Sequence, residues 1–178
     1  TELLDRCLAA GYEKLRSGLY CAKLAGKKGP VYVLNGFYAR MREKFVAPGV
    51  AVNWFVVRFS PSKLTWAAFR KEVIGSTNPP DAAAGSLRAK FRDEWEALGL
   101  KEATNYQDNA VHASAGPLEA MKERAIWLGD EPAKDPFGAA LLARGVDLLE
   151  VLMGNPVIDA GRGKPDGAFE TLEDTDTS

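Results

Sequence analysis

One histidine occurs in the chain, His112, and it sits in the run N-A-V-H-A-S, three residues after Asn109 and two before Ser114. Glu123 follows on what reads as the next helix, at a spacing from which its carboxylate folds back to the ring. A neutral imidazole whose far nitrogen is held by a carboxylate is a competent nucleophile toward phosphorus. Local spacing alone favours a plainer reading, a histidine bonded to main chain.

Upstream lies G-S-T-N-P-P-D-A-A-A-G-S-L-R, which supplies Thr77, Asn78 and Ser86 as neutral donors and Arg88 as a fixed cation with a forked set of N–H groups. Arg70 and Lys71 close the preceding segment. Cations with hydroxyl donors beside one histidine are what a polyphosphate site needs. The same loop also reads as a proline-stiffened surface turn whose arginine solvates a helix, and the spacing leaves both open. No side-chain metal set is expected from it.

These residues must be carried by elements. Residues 2–15 read as an amphipathic helix, with Leu3, Leu4, Cys7, Leu8 and Tyr12 on helical spacing, and A-G-K-K-G-P near 25–30 breaks the pattern. The run G-V-A-V-N-W-F-V-V-R-F, residues 49–59, is apolar on both faces as far as Val57 and predicts a central strand of a covered sheet. A helix is predicted over S-P-S-K-L-T-W-A-A-F-R-K with Pro61 in its first turn, and another over 87–98. Residues 75–86 are a loop, 99–108 a polar excursion, and 109–114 a short strand. Pro117 opens a helix to residue 128, with Leu118, Met121, Ala125 and Leu128 inward. A last helix is predicted from a cap at Asp135 to Met153, with Gly154 as its stop. Beyond it, six acids and two bases with few large apolar side chains predict a flexible acidic terminus.

The whole is 178 residues, 46% hydrophobic and 26% charged, which fits one globular domain or one domain with a tail. With 23 basic against 24 acidic residues, phosphate electrostatics are not its main means of binding, and no nucleic-acid partner is expected. No apolar run reaches the roughly 20 residues of a membrane helix, so no membrane partner is expected. Cys7 and Cys21 form no C-x-x-C pair and no disulfide scaffold, pointing to a reducing, cytoplasmic setting.

The pairing, in order, of G-S-T-N-P-x-x-A-x-x-G-S-L-R with N-x-x-H-x-S resembles the nucleoside diphosphate kinase family, and the resemblance covers roughly residues 1–128. T-E-L-L-D-R-C-L-A-A-G-Y-E-K-L looks like that family's second helix. The resemblance implies a ferredoxin-like α/β sandwich, an antiparallel sheet covered by helices. It implies phosphate transfer from a nucleoside triphosphate to a nucleoside diphosphate through His112, with Mg²⁺ riding on the nucleotide phosphates. Glu123 then orients the histidine, Ser114 stands beside it, and Tyr12 lies near the phosphohistidine. Arg88 and Thr77 match the phosphate ligands, Asn109 the ribose contact, and Tyr38, in G-F-Y-A-R-M, the aromatic that stacks on the base. The family associates into homo-oligomers.

Departures accompany the matches. The second phosphate arginine falls on Lys71, which keeps the charge and loses the fork. The family's H-G-S-D-S is H-A-S-A-G here, and residues 89–108 lengthen the stretch between Arg88 and Asn109. The family's first strand, ending in K-P-D-G, has no counterpart ahead of Thr1, and the chain reads as one portion of a longer polypeptide. The K-P-D-G at Lys164 to Gly167 lacks apolar flanks, so a chance occurrence explains it better than a displaced catalytic strand. The expected organisation is a kinase-like domain over 1–130, a helical extension over 131–158 and an acidic flexible tail over 159–178. A second reading keeps the fold without turnover, as a structural or interaction module of a larger assembly such as those of cilia and flagella.

Overall fold

The computed structural model describes residues 6–7, 9–16, 19–34, 37–161 and 163–177, with the side chains of residues 16 and 37–41 outside the description. The chain forms two compact units, Thr1–Val57 and Arg58–Ser178.

In the first unit, β1 (Glu13–Arg16), β2 (Leu19–Gly26) and β3 (Gly29–Leu34) form an antiparallel sheet in that order. The Gly/Lys-rich break of the sequence is the turn of the β2–β3 hairpin, where Gly26 pairs with Gly29. Alternation along β2 buries Ala22 and Leu24, which pack with Cys7 and, from the side, Tyr12 and Val33. The helix expected through residue 15 gives way at Gly11, whose φ of 78° leaves the helical region, and residues 13–16 extend as β1. Its first four residues, 2–5, and Leu8 lie outside the described residues. Cys7 and Cys21 are both free thiols. A helix, α1 (Phe37–Val46), follows.

The expected central strand at 49–59 does not form: residues 50–60 carry no regular secondary structure. Apolar character alone makes no strand, because the ladder needs a neighbour, and the sheet of this unit consists of β1, β2 and β3. Phe55 is accordingly 87% exposed.

The regular secondary structure of the second unit is mostly helical. Helix α2 begins at Trp66, later than Pro61, because the Thr65 side chain accepts the Ala68 N–H as an N-cap. After Ala68 it continues as a π-helical turn, Phe69–Ile74, that ends on Gly75. Then come α3 (Leu87–Asp93), α4 (Pro117–Leu128), α5 (Pro136–Leu142) and α6 (Leu148–Gly154). The single helix expected from Asp135 to Met153 is therefore two: Gly145 at φ 77° breaks it, and Asp147 caps the second half.

Residues 159–178 were expected as a flexible tail, and the described ones among them fold back instead. Strands β4 (Val157–Ile158) and β5 (Asp166–Gly167) pair antiparallel and lead into a short helix, α7 (Ala168–Thr171). Ala168 joins Leu118, Met121, Leu148 and Leu152 in the core, with Phe169 and Leu172 packed beside them. Mixed helices and antiparallel sheet are the class expected from the sequence. Among the described residues, no helix is long and apolar enough to cross a membrane.

Candidate functional site

The segment 109–114 was expected as a strand, and residues 109–116 are an irregular loop. Ala110 takes φ 67°, and the Val111 N–H returns to the Asn109 carbonyl at 2.9 Å, a γ-turn of the strained, positive-φ kind. That kink ends the pleat, so the loop's carbonyls take side-chain donors. Val111 accepts from Arg88 Nη2 at 2.7 Å and Ser114 from Trp66 Nε1 at 2.8 Å. The Ala115 N–H donates to Glu119 Oε2.

Pro117 then starts α4, and one helical turn separates Glu119 from Glu123 on the face toward this loop. His112 Nε2 lies 2.6 Å from Glu123 Oε1, and Ser114 Oγ donates to Glu123 Oε2 at 2.5 Å. One carboxylate thus holds both residues of the H-x-S motif. The hydrogen bond to Glu123 pushes the imidazole above its usual value, and burial opposes this more weakly; the charges of Glu123 and Glu119 add to the rise. Burial pushes the Glu123 carboxyl up, but its hydrogen bonds from His112 and Ser114 outweigh that and hold it low. An ionised carboxylate only accepts, so Nε2 carries the proton, and in the neutral ring the lone pair is on Nδ1. His112 stays 66% exposed at its side chain, open to an incoming group.

The loop 75–86 is bent onto the start of α3. Gly75 has φ 100°, and a Cβ there would stand 2.5 Å from Ser86 Oγ. Ser86, fully buried, uses that oxygen to cap α3 through the Ala89 N–H. Two residues on, Arg88 spreads its guanidinium between the Gly75 carbonyl, at 2.8 Å, and the Val111 carbonyl. Its Nε is buried and, among the described residues, without a partner. Burial, then the neighbouring Arg70, pulls Arg88 below its usual value. Asn109 Nδ2 donates to the Thr77 carbonyl at 3.0 Å, a second tie between the two loops.

A cavity of about 440 Å³ opens here, within the range of small-ligand sites. Its wall includes Arg70, Lys71, Thr77 and Arg88, with Asp81, Glu173 and Asp174. The structure thus brings His112, Ser114 and Glu123 into contact, and joins Thr77, Arg88 and Asn109 to the loop that carries His112. Tyr12 and Tyr38 belong to the first unit. Tyr12 packs edge-on against Tyr20, ring centroids 6.5 Å apart, and burial and a hydrogen bond with Cys7 raise its hydroxyl. Tyr38 lies on α1, but its side chain is outside the described residues. Lys164 is exposed, in the turn before β5.

Several residues of this neighbourhood escape the sequence reading. Glu119 was legible as an i, i+4 partner of Glu123; with His112 the two carboxylates place potential metal-ligand atoms within 4.8 Å of one another. Trp66 and the terminal acids carry no local signal, since their contacts span most of the unit.

The nucleoside diphosphate kinase family model matches residues 54–132. Curated relatives agree with it. The chain is 38% identical over 66 residues to a nucleoside diphosphate kinase of Psychromonas ingrahamii, covering 37% of this chain and 38% of the relative. It is 34% identical over 68 residues to that of Coxiella burnetii, 38% of this chain and 40% of the relative. Against that of Ruegeria sp. it is 31% identical over 103 residues, 58% of this chain and 61% of the relative. The chain therefore spans less than two-thirds of the length of these relatives. No solved structure matches it.

Proposed function

From the nucleoside diphosphate kinase family segment at residues 54–132, with His112 and Glu123 paired inside it, we propose that this chain transfers a phosphoryl group between nucleotides through a phosphohistidine on His112. The observation that carries the reading is Glu123 holding Nε2 of His112 and Oγ of Ser114 at once, which leaves Nδ1 as the nucleophile.

In the first step the Nδ1 lone pair forms a bond to the terminal phosphorus of a nucleoside triphosphate, the bridging P–O bond breaks, and a nucleoside diphosphate leaves. In the second, a terminal oxygen of an acceptor diphosphate attacks that phosphorus and the P–N bond breaks, returning His112 to its neutral form. Glu123 stabilises the imidazolium-like charge that develops when Nδ1 takes the phosphoryl group. Lys71, Thr77 and Arg88 are the phosphate ligands and Asn109 the ribose contact of this reading.

Mg²⁺ fits this cavity as a passenger of the nucleotide. Of the three carboxylates on the cavity wall, Glu173 and Asp174 are paired with Arg70, which leaves Asp81 as a protein oxygen ligand and most of the ligands to the phosphates. When bound, the ion neutralises phosphate charge. Homo-oligomers and a cytoplasmic site of action belong to the same proposal.

The test is incubation with γ-labelled ATP and Mg²⁺, then isolation of the labelled residue. Acid-labile, base-stable label on His112 that an added nucleoside diphosphate removes is the expected result. Bound nucleotide with no label on His112 overturns the transfer.

A further inference from the structure

The last described residues enter the cavity. Arg70 Nη1 lies 2.6 Å from Asp174 Oδ1 and 2.9 Å from Glu173 Oε1, and all three residues line the wall that also holds Lys71, Thr77 and Arg88. The acids are not loosely placed. The Asp174 N–H donates to the Ala115 carbonyl at 2.8 Å, and Asp176 Oδ1 accepts the Trp66 N–H at 2.7 Å. Just upstream, the Leu172 carbonyl passes so near Gly116 that a Cβ there would stand 2.6 Å away. Asp174 itself sits at φ 56°, a conformation a non-glycine residue keeps only where its surroundings fix it. Main-chain anchors thus deliver two carboxylates to one guanidinium.

A carboxylate oxygen and a phosphate oxygen are equivalent acceptors for a guanidinium fork. Burial pulls the Arg70 value down, and the hydrogen bonds to Asp174 and Glu173 outweigh it, as bound phosphate would. We propose that Arg70 is a further polyphosphate-binding residue of this cavity, and that Glu173 and Asp174 occupy it as an internal competitor which an incoming phosphate chain displaces. The inference rests on the reading of the cavity as a nucleotide phosphate site. Displacement is feasible because the pairs are solvated, with the acids 50% and 46% exposed, and exposed ion pairs are weak. Left in place, the same acids would also repel the phosphates electrostatically.

The probe is inorganic tripolyphosphate, titrated at low salt by calorimetry into the full chain and into Glu173→Gln with Asp174→Asn. These substitutions keep the main-chain anchor to Ala115. The double variant is expected to bind about three- to tenfold more tightly, and Arg70→Gln to bind more weakly than the parent. Equal or weaker binding by the double variant overturns the proposal, as does an unchanged affinity in Arg70→Gln or the failure of every chain to bind. A second readout needs no substitution: tripolyphosphate should speed cleavage after Glu173 by a glutamate-specific protease, and an unchanged rate counts against displacement. Label on His112 without any gain in the double variant sinks the competition alone. A gain without label sinks the transfer reading alone.

Discussion

Arg88 donates to the carbonyl of Val111, the residue immediately before His112, at 2.7 Å. Its other Nη bonds the Gly75 carbonyl, so one guanidinium stitches the 75–86 loop to the histidine loop. A residue placed by its motif among phosphate ligands is therefore also a structural clamp, because five fixed N–H donors let it serve two roles.

Arg88→Ala is expected to do two things at once. It should weaken nucleotide binding by about 1.5–3 kcal/mol and lower folding stability by about 1–3 kcal/mol, since two partly buried carbonyls lose their donor. Arg88→Lys should keep part of the binding and little of the clamp, because a point charge cannot span both carbonyls. Calorimetry and denaturant titration separate the two effects, and an unchanged denaturation midpoint in Arg88→Ala refutes the clamp.

The His112–Glu123 pair makes pH dependence specific. His112 is the one histidine of the chain, so its imidazole resonance reports a single titration. The midpoint is expected above the usual value of about 6.5 and should fall in Glu123→Gln. With a raised folded value, the stabilisation from His112 is complete below its unfolded pKa and is lost as pH rises through the folded one. Glu123, held low, contributes stability above its unfolded value that is lost as pH falls through the folded one. Because only neutral imidazole attacks phosphorus, initial labelling should rise with pH through the raised midpoint. Glu123→Gln should label about 10²-fold more slowly, the ring having lost its orientation. A midpoint unmoved in Glu123→Gln would show that the carboxylate does not set it.

Ala110 carries the strain of the loop, at φ 67°. Glycine adopts that conformation freely, so Ala110→Gly should stabilise the fold by up to about 1 kcal/mol despite the extra unfolded-state entropy. Ala110→Val, branched at Cβ, should destabilise it by about 1–2 kcal/mol. Denaturant midpoints at unchanged slope check both, and the opposite order would remove strain from the account.

What could be read in the sequence was local. Pro117 marked the start of α4, and the burial of Leu118 and Met121 follows its helical period. The spacing from His112 to Glu123 allowed their hydrogen bond, because it runs through one turn into one helix, although spacing alone favoured a histidine bonded to main chain. Elsewhere the local pattern misled. The run 49–59 has strand chemistry and no ladder partner, while 109–114 has strand length but breaks at Ala110. The long helix of 135–153 divides where Gly145 and Asp147 offer a stop and a cap that outweigh the continuous apolar pattern.

By itself, then, the sequence determined which residues could carry chemistry, His112 with Glu123 and the cations around them, and the family its motifs resemble. Only the tertiary structure decided that Arg88 clamps Val111, that Trp66 holds Ser114, and that Arg70 meets Asp174 across 104 positions. Periodicity and capping are properties of neighbours along the chain. Which carbonyl or carboxylate meets a distant guanidinium depends on how the helices pack and where the last segment comes to rest, and no local spacing encodes that.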